Sequence, residues 1–141
     1  MQQNFKCSAC FGETNAFNIG TPDTPFFKGT TPTLTVDVTD VDGVTPVVLT
    51  GAVIYLTCKK DPGDADPGLF QLSTTSGEIV LSPQSGSTVG QFVVTFPSDA
   101  TANLSAMLDY LYDVRIILAG DIQNVLFGTL RLTPTITQAV S

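Results

Sequence analysis

The sequence predicts an all-β fold: an immunoglobulin-like β-sandwich with one short helix and an extended N-terminal arm. Three observations lead there. Apolar and polar residues alternate in several short runs, clusters of Gly, Pro, Ser and Asp separate the runs at sandwich spacing, and helical periodicity occurs once. The 141 residues are one domain's worth of chain, enough to bury roughly two-thirds of the surface that the unfolded chain exposes.

Residues 1–29 are read as the arm. They show neither strand nor helical periodicity, yet Phe5, Phe11, Phe17, Phe26 and Phe27 punctuate them between Gly12, Gly20, Pro22 and Pro25. Exposed rings are costly in water, so a segment that carries them at intervals is expected to dock them in apolar sockets. One small sandwich has its own inward rows to fill. Some of the five rings are therefore expected to bury in a neighbour and form an assembly interface, and removing residues 1–25 is expected to leave the sandwich folded.

The sandwich itself is expected over residues 30–134. In its first strand Leu34, Val36 and Val38 point inward, while Thr33, Thr35, Asp37 and Thr39 point to solvent. Asp40-Val41-Asp42-Gly43 supplies a turn. Ala52, Ile54, Leu56 and Cys58 make a second inward row, and the run from Asp61 to Gly68 ends it in a long loop, because Pro and Gly interrupt pairing. Short strands follow at Leu69–Thr74, Glu78–Leu81 and Val89–Phe96. Ser98 is the expected cap of a brief helix through Thr101, Leu104 and Leu108 that plugs one end. Tyr110–Ala119 and Gln123–Thr133 are the last strands, joined by a turn at Gly120-Asp121, with Tyr112 placed for a tyrosine corner. Pro134 closes the last strand, and residues 135–141 form a short tail.

Charge and composition exclude several functions. Six Lys and Arg face thirteen Asp and Glu, a formal net charge of -7, so a nucleic-acid partner, which needs clustered cations, is not expected. Hydrophobic residues are 43% of the chain and charged residues only 13%, which favours a surface largely covered by partners. The first residues lack the basic start and apolar core of a signal peptide, and no run is long enough for a membrane helix. Synthesis in the cytosol without a membrane partner is expected.

Candidate chemical groups read as structural. Cys7-Ser8-Ala9-Cys10 has metal-site spacing, but the chain contains no His and only one more cysteine, Cys58, where a structural zinc wants four ligands. Free thiols are expected. The carboxylates of Asp61, Asp64 and Asp66 do not follow a calcium-loop pattern and read as turn formers. Ser and Thr lack a histidine base. Asp109 and Asp113 share a strand face with Arg115, which is expected to pair with Asp113. Catalytic residues, metal and cofactors are all expected to be none.

One ordered set of motifs carries a resemblance: Phe27-Lys28-Gly29-Thr30, the alternating strand and its Asp-Gly turn, Leu49-Thr50-Gly51-Ala52, the Ser98-Asp99-Ala100-Thr101 helix, Tyr110-Leu111-Tyr112-Asp113-Val114-Arg115, and Gly128-Thr129-Leu130-Arg131-Leu132-Thr133-Pro134. Over residues 26–136 this order is similar to β-sandwich modules of tailed phages, among them baseplate upper protein N-terminal domains and siphophage collar or minor tail proteins. The resemblance implies a non-enzymatic structural protein of the virion, assembled in the host cytoplasm, whose partners are itself and other virion proteins. A tail, collar or baseplate accessory forming a homo-oligomeric ring is the leading expectation. A capsid decoration protein is the alternative, and a carbohydrate-binding or adhesin module, disfavoured by the absence of Trp, is the second alternative.

Overall fold

Backbone pairing joins ten strands into two sheets that pack face to face in a computed structural model describing residues 4–11, 15–66 and 68–134. In chain order the strands are β1 (Asn4–Cys10), β2 (Asn15–Ala16), β3 (Phe26–Phe27), β4 (Thr33–Thr39), β5 (Val53–Lys59), β6 (Phe70–Ser73), β7 (Ile79–Leu81), β8 (Gln91–Thr95), β9 (Asp109–Leu118) and β10 (Asp121–Thr133), with one helix, α1 (Ser98–Ala102). The first sheet runs β1-β4-β8-β7. The second runs β2-β10-β9-β5-β6, and β3 pairs β10 further along. All pairs are antiparallel except those of β1 with β4 and of β2 and β3 with β10.

The sandwich follows from the alternation. Leu34, Val36 and Val38 of β4, Ile54, Leu56 and Cys58 of β5 with the preceding Ala52, and Tyr112, Val114 and Ile116 of β9 are all buried between the sheets, as their spacing predicts. Each large apolar side chain so buried contributes about 1.5–3 kcal/mol. The Asp40–Gly43 turn is built as expected and reinforced by Asp42. Its carboxylate accepts from the Thr45 hydroxyl (2.6 Å) and the Thr45 and Val44 amides (2.9 Å each), bonds that hold its pKa down at about 2.

The N-terminal segment is extended but does not stand apart from the sandwich. Its first strand, β1, forms one edge of the first sheet, pairing Asn4 to Cys10 with Thr33 to Thr39. From Asn15 the chain runs beside β10 in the second sheet. The Phe17 amide donates to Phe127 O (2.9 Å), the Ile19 amide to Thr129 O (2.8 Å), the Arg131 amide to Ile19 O (2.9 Å) and the Lys28 amide to Thr133 O (3.0 Å). Residues 4–11 and 15–28 therefore act as a strap that covers an edge of each sheet. Two glycines make the approach possible. A Cβ at Gly128 would lie 2.1 Å from Phe17 O, and one at Gly20, which also has a positive φ of 85°, would lie 1.9 Å from Arg131 O.

Some of the early phenylalanines find room within the sandwich itself, whereas Phe27 stays 42% exposed. Phe5 and Phe26 are buried in the chain's own core, together with Ile19. A line of rings crosses that core: Phe5 to Phe26 (centroids 5.9 Å apart), Phe26 to Phe96 (5.2 Å, edge to face) and Phe96 to Phe70 (6.4 Å, edge to face). Room exists because the strap brings its own backbone partners with it and widens both sheets.

Other expectations are revised in detail. The helix ends at Ala102 instead of reaching Leu108, and Pro97, which offers no capping side chain, occupies the N-cap where Ser98 was expected. Instead of capping, Thr101 is buried with its hydroxyl accepting from the Gly29 amide (2.9 Å), which ties helix to strap. Beyond it Met107 takes a positive φ and its amide donates to Leu132 O (2.8 Å), so the helical stripe of Leu104 and Leu108 is not used as one. The last hairpin turns at Ala119-Gly120, both with positive φ, one residue before the expected pair. The tyrosine-corner bond belongs to Tyr110, whose hydroxyl accepts from the Ser105 amide five residues upstream (2.9 Å). Tyr112 donates its hydroxyl to Phe17 O on the strap. The expected tail, residues 135–141, lies outside the described residues.

Because Phe5 packs in the core, Phe5→Ala is expected to cost about 3–5 kcal/mol in urea melts. Where the sequence suggested a sandwich that folds without residues 1–25, their removal is now expected to abolish the cooperative transition, since Ile19 and β1 go with them. A truncated chain that melts like the full-length one would show the strap to be dispensable.

Candidate functional site

The outer face of the second sheet carries a large concavity. Alternation places Tyr55, Thr57 and Lys59 of β5 and Leu111, Asp113, Arg115 and Ile117 of β9 on this face. Strand register then aligns them in rows. Gln71, Thr57, Asp113 and Phe127 form one row across four strands; Tyr55, Arg115 and Asn124 form the next; Lys59, Leu111 and Thr129 lie on the other side. Neighbours within a row are about 4.8 Å apart along the pairing direction, and rows are separated by about 6.7 Å.

Phe127 reaches its row through a β-bulge. Asn124 opposes Arg115 and Leu126 opposes Val114, so Val125 is an extra residue in β10. Val125 and Leu126 are consequently buried in succession, and Phe127 turns outward with 48% of its surface exposed. Were the same residues paired without a bulge, Leu126 would oppose Asp113 and Phe127 would point into the core.

A loop forms the wall of the concavity. The Asp61 amide donates to the Asp64 carboxylate (3.1 Å) and the Gly68 amide to Ala65 O (2.8 Å), while Lys59 Nζ meets Asp66 Oδ1 at 2.9 Å and holds the loop against the sheet. Floor and wall enclose a cleft of about 630 Å³ with Pro62 and Asp66 on its loop side. The hydrogen bond and charge of Lys59 lower the pKa of Asp66.

Asp113 sits differently. Burial raises its pKa, and the nearby Arg115 and Lys59 oppose that rise only in part. The expected Asp113–Arg115 pair is not formed: Arg115 Nε donates to Asn124 Oδ1 (2.9 Å), directly across the strands. Residues two apart on a strand are separated by a full pleat, whereas a cross-strand partner lies opposite, so Asn124 is the nearer acceptor. Gln71 donates its side-chain amide to the Thr57 hydroxyl (3.0 Å). The second ion pair, Arg131 with Asp109 (3.1 Å), lies outside the cleft lining.

No protein-family model matches the sequence, and no curated protein matches it. Solved structures do. The chain is similar in fold to the N-terminal domain of phage TP901-1 ORF48. The two share a TM-score of 0.50 at 9% sequence identity, over 93% of this chain and 98% of that one. At this identity the likeness is one of fold, a β-sandwich module that a phage protein also contains. Its extent exceeds residues 26–136, so the likeness takes in part of the strap as well as the sandwich.

The residues singled out in the sequence are distributed over the fold rather than gathered. Phe5 and Phe26 are core residues, Phe11 and Phe17 are partly buried against that core, and Phe27 is 42% exposed beside the end of β10. Cys7, Cys10 and Cys58 are free thiols. Burial pushes Cys7 and Cys58 up to about 12, with Asp37 adding to the rise at Cys7, so both stay protonated and are poor nucleophiles and poor metal ligands at neutral pH. Among the described residues no three Asp, Glu, Cys or His side chains converge to hold a metal ion. Asp61, Asp64 and Asp66 shape the cleft wall instead.

The pH dependence of Asp113 tests this geometry. A carboxyl with a raised folded-state pKa destabilises the fold once pH exceeds its unfolded value of about 4, and that cost is absent at lower pH where both states are protonated. Asp113→Asn is therefore expected to raise the melting temperature at pH 7 and to leave it unchanged near pH 3. Paired thermal melts across this range check it; a variant that melts lower at pH 7 would show that the carboxylate is stabilised where it lies.

Proposed function

We propose that the protein is a non-enzymatic structural module of a tailed-phage virion, an accessory of the tail, collar or baseplate that assembles with copies of itself as a ring and with other virion proteins. The observation that carries this reading is the β-sandwich fold, over 93% of the chain, that it has in common with the N-terminal domain of phage TP901-1 ORF48. Supporting it is the low proportion of charged residues, 13%, which suits a surface that other subunits cover. The non-enzymatic part rests on the sequence, which has no histidine to serve as a base, and on the two thiols that burial keeps protonated.

Within this reading the assembly role of the early phenylalanines narrows. Phe5 and Phe26 are committed to the chain's own core and Phe11 and Phe17 are partly covered by it, which leaves Phe27 as the most exposed of the five rings. Phe27 pairs with Thr133, and Met107, also exposed, is bonded through its amide to Leu132. Both therefore flank the end of β10. An apolar end of this kind is what a ring contact would bury.

Light scattering on the full chain, with negative-stain imaging, tests the proposal. The expected result is an oligomer with ring-shaped particles, and Phe27→Ser is expected to reduce its mass to that of a monomer with an unchanged circular dichroism spectrum. A monomer that binds emptied heads would support a decoration protein, and a monomer that binds no virion component would overturn the structural reading.

A further inference from the structure

The cleft between the Asp61–Gly68 loop and the second sheet has no part in the ring contact argued above, yet its chemistry is restrictive. Lys59 and Arg115 balance Asp66 and Asp113 within it, so its lining carries no net charge to attract either an anion or a cation. The Asp113 carboxylate accepts no hydrogen bond from the described residues and is held half-buried among its charged neighbours. A ligand must bring it a donor. Arg115 uses Nε on Asn124 and retains the other guanidinium N–H groups, which call for acceptors. Gln71 has its amide nitrogen on Thr57 and keeps a carbonyl oxygen to accept. Beside these groups Phe127 and Tyr55 offer ring surface, and Leu111 an aliphatic one.

We propose that this cleft binds a short neutral saccharide, with Asp113 and Arg115 bonding its hydroxyls and Phe127 packing under its C–H face. Hydroxyl groups donate and accept from one small frame, which meets both demands at once, and sugar rings present apolar C–H faces to aromatic ones. The volume of about 630 Å³ lies in the range of about 300–1,000 Å³ typical of small-ligand sites. An extended peptide fits less well. Its main-chain amides seek a free sheet edge, whereas the floor here is the face of β5 and β9, whose backbones are paired on both sides. The chain's lack of Trp is offset by folding, which brings Tyr55 and Phe127 to one cleft from opposite parts of the sequence.

The test is a titration of the isotope-labelled full chain, followed by amide chemical shifts. The probes are neutral di- and trisaccharides of hexose, N-acetylhexosamine and deoxyhexose, with a parallel set of extended hexapeptides. Saturable shifts at Tyr55, Thr57, Asp113 and Phe127 with at least one saccharide are expected. Asp113→Ala and Phe127→Ala should each weaken binding about tenfold or more, the effect of losing a charged hydrogen bond or a packed ring. Val80→Ala, exposed on the other sheet, should leave affinity unchanged. Asp113→Asn and Phe127→Leu replace any variant that loses its native spectrum. Absence of shifts with every saccharide at millimolar concentration, shifts with the peptides alone, or binding that survives both substitutions would each overturn the proposal. None of these outcomes depends on whether the chain forms rings.

Discussion

Phe26 is the point at which strap and sheets meet, and the fold depends on its burial. It lies on the strap, touches Phe5 from β1 on one side and Phe96 on the other, and is fully buried. The backbone bonds that flank it, from Ile19 to Lys28, fix the strap to β10. Ring packing and backbone pairing therefore act on the same segment. Either alone would be weak: a lone ring does not order a chain of this length, and a two-residue strand such as β3 does not hold itself. Together they close an edge of each sheet that would otherwise present unpaired amides and carbonyls to other chains.

The parts of the fold that were legible in the sequence are those with high contrast between alternate positions. Leu34-Thr35-Val36-Asp37-Val38 admits one register, because a slip by one residue would bury Asp37. β1 has no such contrast. In Asn4 to Cys10 the inward residues are Phe5, Cys7 and Ala9, set against Lys6 and Ser8, and Cys, Ala and Ser differ too little in size and polarity to mark a face. The pairing of Ile19 with Leu130 joins residues over a hundred positions apart in parallel, so no local turn announces it. Composition marked the five phenylalanines as rings that seek apolar surroundings; Phe5 and Phe26 find them in the chain's own core, while Phe27 stays 42% exposed, and which ring goes where is a question of topology.

The cleft was half legible for the same reason. That Asp113 and Arg115 share a face with Leu111 and Ile117 follows from alternation, and the apolar residues among them already mark that face as more than a solvated surface. The inclusion of Phe127 does not follow. It depends on the single inserted residue at Val125, and a bulge leaves no signature when the residues around it, Val125, Leu126 and Phe127, are all apolar. The misassigned partner of Arg115 is a related error, since cross-strand neighbours are visible only once register is known.

The strap also governs the order of events during synthesis. From Asn15 onward its partner is β10, which comes last in the sandwich. Residues 15–28 leave the ribosome early and must wait, unpaired and carrying Phe17, Ile19 and Phe26, until residue 133 has emerged. Closure of the second sheet thus carries a large loop-closure entropy, placing this sandwich among slow-folding topologies. During that interval the apolar strap and the bare edge of β10 are complementary surfaces on every copy, and two chains folding close together can exchange straps.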